Sequence, residues 1–135
     1  MKNEQIIQLF IEEVFNKGNI SVIHEIISPH YQYSSPTEKM NGLEELEGFV
    51  VAFREAFPDL RVTISEQFST GDTVISRIRF TGSHRGEFLG MPPTHKSIDV
   101  EACVISTFAD GLIYKEWEII DQLTLLQQLG AAAQN

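Results

Sequence analysis

From Ser97 to Asp121 the chain reads SIDVEACVISTFADGLIYKEWEIID. Ile98, Val100, Ala102, Val104 and Phe108 fall on one parity, as a strand with one buried face requires. Asp110-Gly111 is a strong hairpin turn, because a tight turn that follows strand twist needs positive φ. Leu112 to Asp121 then returns as the last strand. Upstream, Thr73 to His84 alternates in the same way, with Val74, Ile78 and Phe80 on one face. Gly71-Asp72 is the turn before it, and Leu60, Val62, Ile64 and Phe68 mark a strand earlier still. Gly90-Met91-Pro92-Pro93-Thr94 is a loop.

The first half has a different period. Ile6, Phe10 and Val14 recur four apart, with Ile7 and Leu9 beside them, which predicts a helix over about Asn3 to Asn16. Lys17-Gly18-Asn19 stops it. A short helix spans about Ile20 to Ile27 and ends at Ser28-Pro29. Tyr31 and Tyr33 lie two apart in a short strand, followed by a loop. A third helix covers about Leu43 to Phe57, and a C-terminal one about Leu123 to Leu129. Helices followed by four long strands predict an α+β fold, three helices laid on a curved, mostly antiparallel sheet. Such a cone leaves an open mouth, a common ligand site.

The 135 residues are expected to form a single domain, 1–135. Apolar residues at 42% against 21% charged exclude a disordered chain. Ten Lys and Arg against nineteen Asp and Glu leave a net charge of −9, which argues against nucleic acid or an anionic membrane as partner. The one cysteine, Cys103, excludes an internal disulfide. No run reaches the roughly 18 apolar residues of a membrane span, and the N-terminus has no signal-peptide pattern. A cytoplasmic location is the expectation. His24, His30, His84 and His95 show no close ligand spacing, so no metal is expected. No phosphate loop or Gly-x-Ser-x-Gly elbow occurs.

With unbroken alternation, Ile113, Lys115, Trp117, Ile119 and Asp121 share one face of the last strand. Leu112, Tyr114, Glu116, Glu118 and Ile120 share the other. Both faces carry apolar residues; the Trp117 face is taken as the cavity wall. Asp121 at its end would lose hydration, raising its pKa toward that of a general acid or base. Spacing alone favours the other role for Asp121, a cap on the C-terminal helix. His84 shares parity with Val74, Ile78 and Phe80, either pointing inward toward a substrate carbonyl or half-exposed without a task. Tyr31 and Tyr33 offer phenols to a pocket wall. Phe49, Phe53 and Phe57, four apart, are core, with one able to line the pocket. Arg77 and Arg79 face solvent or pair with Asp99 and Glu101.

Three blocks carry a resemblance. They are Gly42 to Leu46 leading to Phe53 to Leu60, then His84 to Thr94, then Phe108 to Ile113 with Glu116-Trp117, Asp121 and Leu126 to Gly130. Together they resemble the SnoaL-like polyketide cyclases, also called predicted ester cyclases. The resemblance implies the cone of the nuclear transport factor 2-like superfamily and a homodimer formed across sheet surfaces. It implies intramolecular aldol chemistry on an apolar small molecule, without metal or cofactor. By motif position Asp121 matches the family's acid/base aspartate and His84 its pocket histidine. Tyr33, Phe53 and Trp117 are the expected substrate contacts. Thr94-His95-Lys96 replaces the usual Thr-Gly-Lys, Ser106-Thr107 stand near a common arginine, and Tyr31-Gln32-Tyr33 replaces the usual His or Asn. The pocket is therefore expected to be tuned to a different ligand. The alternative is a binding module on the same fold that leaves its ligand unchanged.

Overall fold

The computed structural model describes residues 1–131. Helix α1 (Asn3–Leu9) continues without a break as a π-helix, Phe10–Asn16. A 3₁₀ turn (Ile20–Val22) leads into α2 (Ile23–Ile26). Two strands, β1 (Ile27–Ser34) and β2 (Lys39–Asn41), precede α3 (Gly42–Ala56). Then come β3 (Arg61–Thr70), β4 (Thr73–Ser83), β5 (Ser97–Ala109), β6 (Leu112–Ile120) and α4 (Gln122–Gln128). The result is the expected α+β architecture, with a six-stranded sheet ordered β2-β1-β6-β5-β4-β3. Neighbouring strands are antiparallel except β1 and β6, which run parallel.

The helices bury one stripe each against the concave face. Leu46, Val50, Phe53 and Ala56 of α3 meet Val74, Ile78, Phe80, Ile98 and Val100 from the sheet in one core. Pro58 follows the last turn of α3 and cannot extend it. Gly86 docks the loop after β4 against that helix end. Its N–H donates to the Ala56 carbonyl at 3.1 Å. A Cβ there would lie 2.4 Å from the Glu55 carbonyl oxygen, so only glycine fits.

Three local features depart from the sequence expectation. The first helix widens to π geometry, with the Lys17 N–H donating to the Glu12 carbonyl at 3.1 Å. The wider turns place Phe10, Ile11 and Phe15 along one cavity wall. Strand β1 starts at Ile27 and passes through Pro29, within the stretch where its register with β6 is irregular. A proline's missing N–H is tolerated there. Lastly, Thr107 and Phe108 are consecutive on β5, yet their partners on β6 are Lys115 and Ile113. Tyr114 is the extra residue of a β-bulge, and it shifts the alternation of everything after it.

Candidate active site

Between the helices and the concave face lies a cavity of ≈ 160 Å³. Eight aromatic rings line it, among them Phe10, Phe15, Phe49, Phe53 and Phe88. Aliphatic residues, Met40 and the polar Ser35, Thr37, Ser76 and Gln122 also line it. Its charged lining residues are Glu38, Glu116 and Glu118. Glu38 is exposed, Glu118 half-buried and Glu116 buried, so the carboxyls run from rim to floor.

The bulge at Tyr114 explains why two of them face inward. Ile113 is buried before it, and Glu116, two residues past it, is buried as well. Uninterrupted alternation would have put them on opposite faces. Each inward carboxyl meets a tyrosine from the parallel strand β1. Tyr31 donates to Glu116 Oε1 at 2.8 Å, and Tyr33 donates to Glu118 Oε1 at 2.5 Å. Ser106, directly opposite on β5, donates to Glu116 Oε2 at 2.6 Å. Opposite Glu118 stands Val104, which offers no polar group.

These surroundings set the protonation. Burial pushes the Glu118 carboxyl up to about 7; the Tyr33 hydrogen bond opposes this, and the charges of Glu116 and Glu38 add to it. Burial raises Glu116 too, against the hydrogen bonds from Ser106 and Tyr31. Burial, and then the facing carboxylates, hold both phenols well above the usual tyrosine range. At neutral pH the cavity therefore carries phenolic O–H donors beside a carboxyl poised between its two forms.

The residues singled out from the sequence divide into two groups. Tyr33 and Phe53 line this cavity. Trp117 does not. It lies on the outer face of β6 and is 42% exposed, because the bulge inverts the face expected to turn inward. Asp121 is exposed and caps α4, accepting from the Thr124 N–H at 3.1 Å and the Thr124 hydroxyl at 2.7 Å. Those bonds lower its pKa, the opposite of the rise expected at a cavity wall. His84 is fully buried, inward as one of the two alternatives had it, but behind the cavity wall. Its ring packs against Phe57 and Phe88. Its Nδ1 accepts from the Thr94 N–H at 3.2 Å and lies 2.9 Å from the Thr94 hydroxyl. His84 thus anchors the loop that carries Phe88 and Leu89 to the cavity. Arg77 pairs with Glu66 and Glu101, and Arg79 with Asp99, on the exposed face.

Sequence reasoning missed Glu116, Glu118 and Ser106. One signal was present: two tyrosines and two glutamates, each pair spaced by two, on separate strands. No group of three or more His, Cys, Asp or Glu placed to hold a metal occurs among the described residues. No helix among them is long and apolar enough to cross a membrane.

A family model for SnoaL-like polyketide cyclases matches residues 5–129. The chain belongs to that family. A candidate SnoaL-like polyketide cyclase from Jannaschia sp. CCS1 superposes with a TM-score of 0.88 at 26% identity, covering 97% of this chain and 93% of that one. IdmH, a candidate polyketide cyclase from Streptomyces antibioticus, gives 0.83 at 28% identity, covering 96% and 99%. A protein of ketosteroid isomerase-like fold from Catenulispora acidiphila shares the architecture at 15% identity, with a TM-score of 0.80 and coverage of 97% and 96%. No curated protein matches the sequence. This SnoaL-like chain therefore has the cone architecture expected from its motifs.

Proposed function

We propose that this SnoaL-like protein is a cofactor-independent acid/base enzyme that cyclises or isomerises an apolar carbonyl compound, with Glu118 as the base. The observation that carries the proposal is a carboxyl with a pKa of about 7 at the polar end of an aromatic cavity. A base near the working pH combines the correct protonation state with enough basicity to take a carbon-bound proton.

Glu118 takes the proton from the carbon next to a carbonyl, and the C–H electron pair becomes the enolate. Glu118, once protonated, is a weaker acceptor, and Tyr33, at the same end of the cavity, turns its one O–H from Glu118 to the enolate oxygen. The enolate carbon forms a bond to a second carbonyl carbon of the same molecule. That carbonyl's oxygen takes up the electron pair and then the proton held by Glu118. Every proton removed is returned, so no redox or carrier group is required. Phe53 and its neighbouring rings hold the apolar body and exclude water.

The family resemblance favours Asp121 as the base instead, and one experiment separates the two. Aromatic and aliphatic β-ketoesters in D₂O are followed by NMR for exchange of the α-proton. Wild type accelerates exchange; Glu118→Gln loses at least about 100-fold, and Asp121→Asn keeps most of it. The reverse pattern moves the base to Asp121. Ligand binding without exchange by the wild type supports the binding-module reading.

A further inference from the structure

We infer that Ser106 assigns the roles of the two inward carboxyls: it makes Glu116 the one that gives up its proton first and leaves Glu118 as the one that takes and returns a proton. Ser106 and Glu116 are then positioning residues that act through the base. The task given to Glu118 rests on the proposed function; the order of ionisation rests on the carboxyl cluster itself.

The two carboxyls have unequal partners. Glu116 accepts a hydroxyl on each oxygen, from Tyr31 at Oε1 (2.8 Å) and from Ser106 at Oε2 (2.6 Å). Ser106 is fully buried and stands directly opposite Glu116 on β5. Glu118 accepts from Tyr33 alone among the described residues, and the residue opposite it is Val104. Each carboxyl thus has one phenol, and Ser106 is the difference between them. A hydrogen bond donated to a carboxyl stabilises its anion more than its acid form. Deeper burial works against ionising Glu116, and Ser106 is the largest cause opposing it.

The first ionisation then acts on the second. Glu116 and Glu118 lie two residues apart on the inner face of β6, roughly 7 Å along the strand. Carboxyls that close, at the wall of an apolar cavity, titrate as a pair. The other titratable groups facing them are Tyr31 and Tyr33 from β1 and Glu38 from the loop after it. The lining residues of α1, its π-helical continuation, β2, α3, β3, β4, the Phe88–Leu89 loop, β5 and α4 carry no titratable group. No cation therefore stands at the cavity wall to screen one carboxyl from the other. The Glu116 charge accordingly raises Glu118, whereas no charge is among the causes acting on Glu116. Without Ser106, two carboxyls with one phenol each would compete, and the deeper one would ionise last. The readiness of the base depends on a serine that does not line the cavity.

The test reads each carboxyl directly. The side-chain ¹³C carboxyl signals of Glu116 and Glu118 are assigned with Glu116→Gln and Glu118→Gln, then titrated by NMR. In the wild type Glu116 is expected to titrate below Glu118. Ser106→Ala, which removes only the hydroxyl, is expected to move the midpoints in opposite directions, Glu116 up by about one pH unit and Glu118 down. Glu116→Gln is expected to lower the Glu118 midpoint, with burial still holding it above the ordinary 4.5. Glu118 titrating first in the wild type overturns the inference, as do unmoved midpoints in Ser106→Ala. So does a fall of both midpoints toward the ordinary value, which is what a hydroxyl that only holds strands together would give. The expected order of ionisation without α-proton exchange sustains the role of Ser106 and overturns the proposed function alone.

Discussion

The two faces of the β4–β5–β6 sheet hold the same kinds of acid in opposite conditions. On the outer face Asp99 and Glu101 sit in water beside arginines, and the Arg79 hydrogen bond holds the Asp99 carboxyl below its ordinary value. On the inner face Glu116 and Glu118 meet phenols and hydrocarbon, and burial raises both. The sheet is one residue thick, so neighbours along a strand experience opposite environments. A carboxyl's environment here depends on its parity in the strand. Outer-face pairs are exposed, and such pairs contribute roughly 0–1 kcal/mol each. Inner-face acids cost stability, and one of them, Glu118, is the base we propose.

The largest expected break in that contrast is Glu118→Gln. It is expected to abolish α-proton exchange, while the wild-type rate rises with pH through about 7 as the Glu118 carboxyl ionises. A wild-type profile flat from pH 5 to 9 would remove Glu118 from the chemistry. Next in size is Tyr33→Phe. It deletes the hydrogen bond that lowers the Glu118 pKa, so the midpoint of the profile shifts upward; a downward shift would contradict the assignment.

Stability gives the third contrast. Glu118's folded pKa of about 7 lies above the ordinary glutamate value of 4.5, so the unfolded chain ionises first as pH rises. Stability therefore falls between pH 4.5 and about 7 and levels off above. Glu118→Gln removes this fall, and its melting temperature is expected to exceed that of the wild type at pH 8, on the order of 4 °C. At pH 4 the two proteins are expected to melt together. Asp121→Ala should lower the denaturation midpoint measurably, because the Thr124 N–H and hydroxyl lose their cap. Arg79→Ala, on the outer face, should leave the denaturation midpoint nearly unchanged, with any small loss shrinking further as salt is added.

The sequence made the long hairpin legible because Asp110-Gly111 and the even-numbered apolar residues of β5 repeat without interruption. Helix α3 was legible for the same reason, from its apolar residues recurring every three or four positions up to Pro58. The inward face of β6 was not. Its choice depended on one extra residue at Tyr114, and nothing about Tyr114 marks it as a bulge. Ile113 is inward as expected, and Trp117 would have been too in a regular strand. The short strand β2 has three residues and little pattern to offer. The candidate site was half legible. Tyr33 and Phe53 stood out as ring-bearing wall residues, whereas Glu116 and Glu118 look like the solvated face of an amphipathic strand until the bulge is known.

Both tyrosine–glutamate bonds join residues 85 positions apart. They form where β1 docks beside β6 in the sheet's parallel pairing. Closing so long a loop carries an entropic cost that local contacts do not offset. The tyrosine–glutamate pairs are thus among the most non-local contacts of the molecule. A nascent or partly unfolded chain can hold the β5–β6 hairpin, with its glutamates still open to water and ionising as ordinary acids. In the proposed mechanism, Glu118 therefore gains its Tyr33 partner only when strands far apart in the chain have paired.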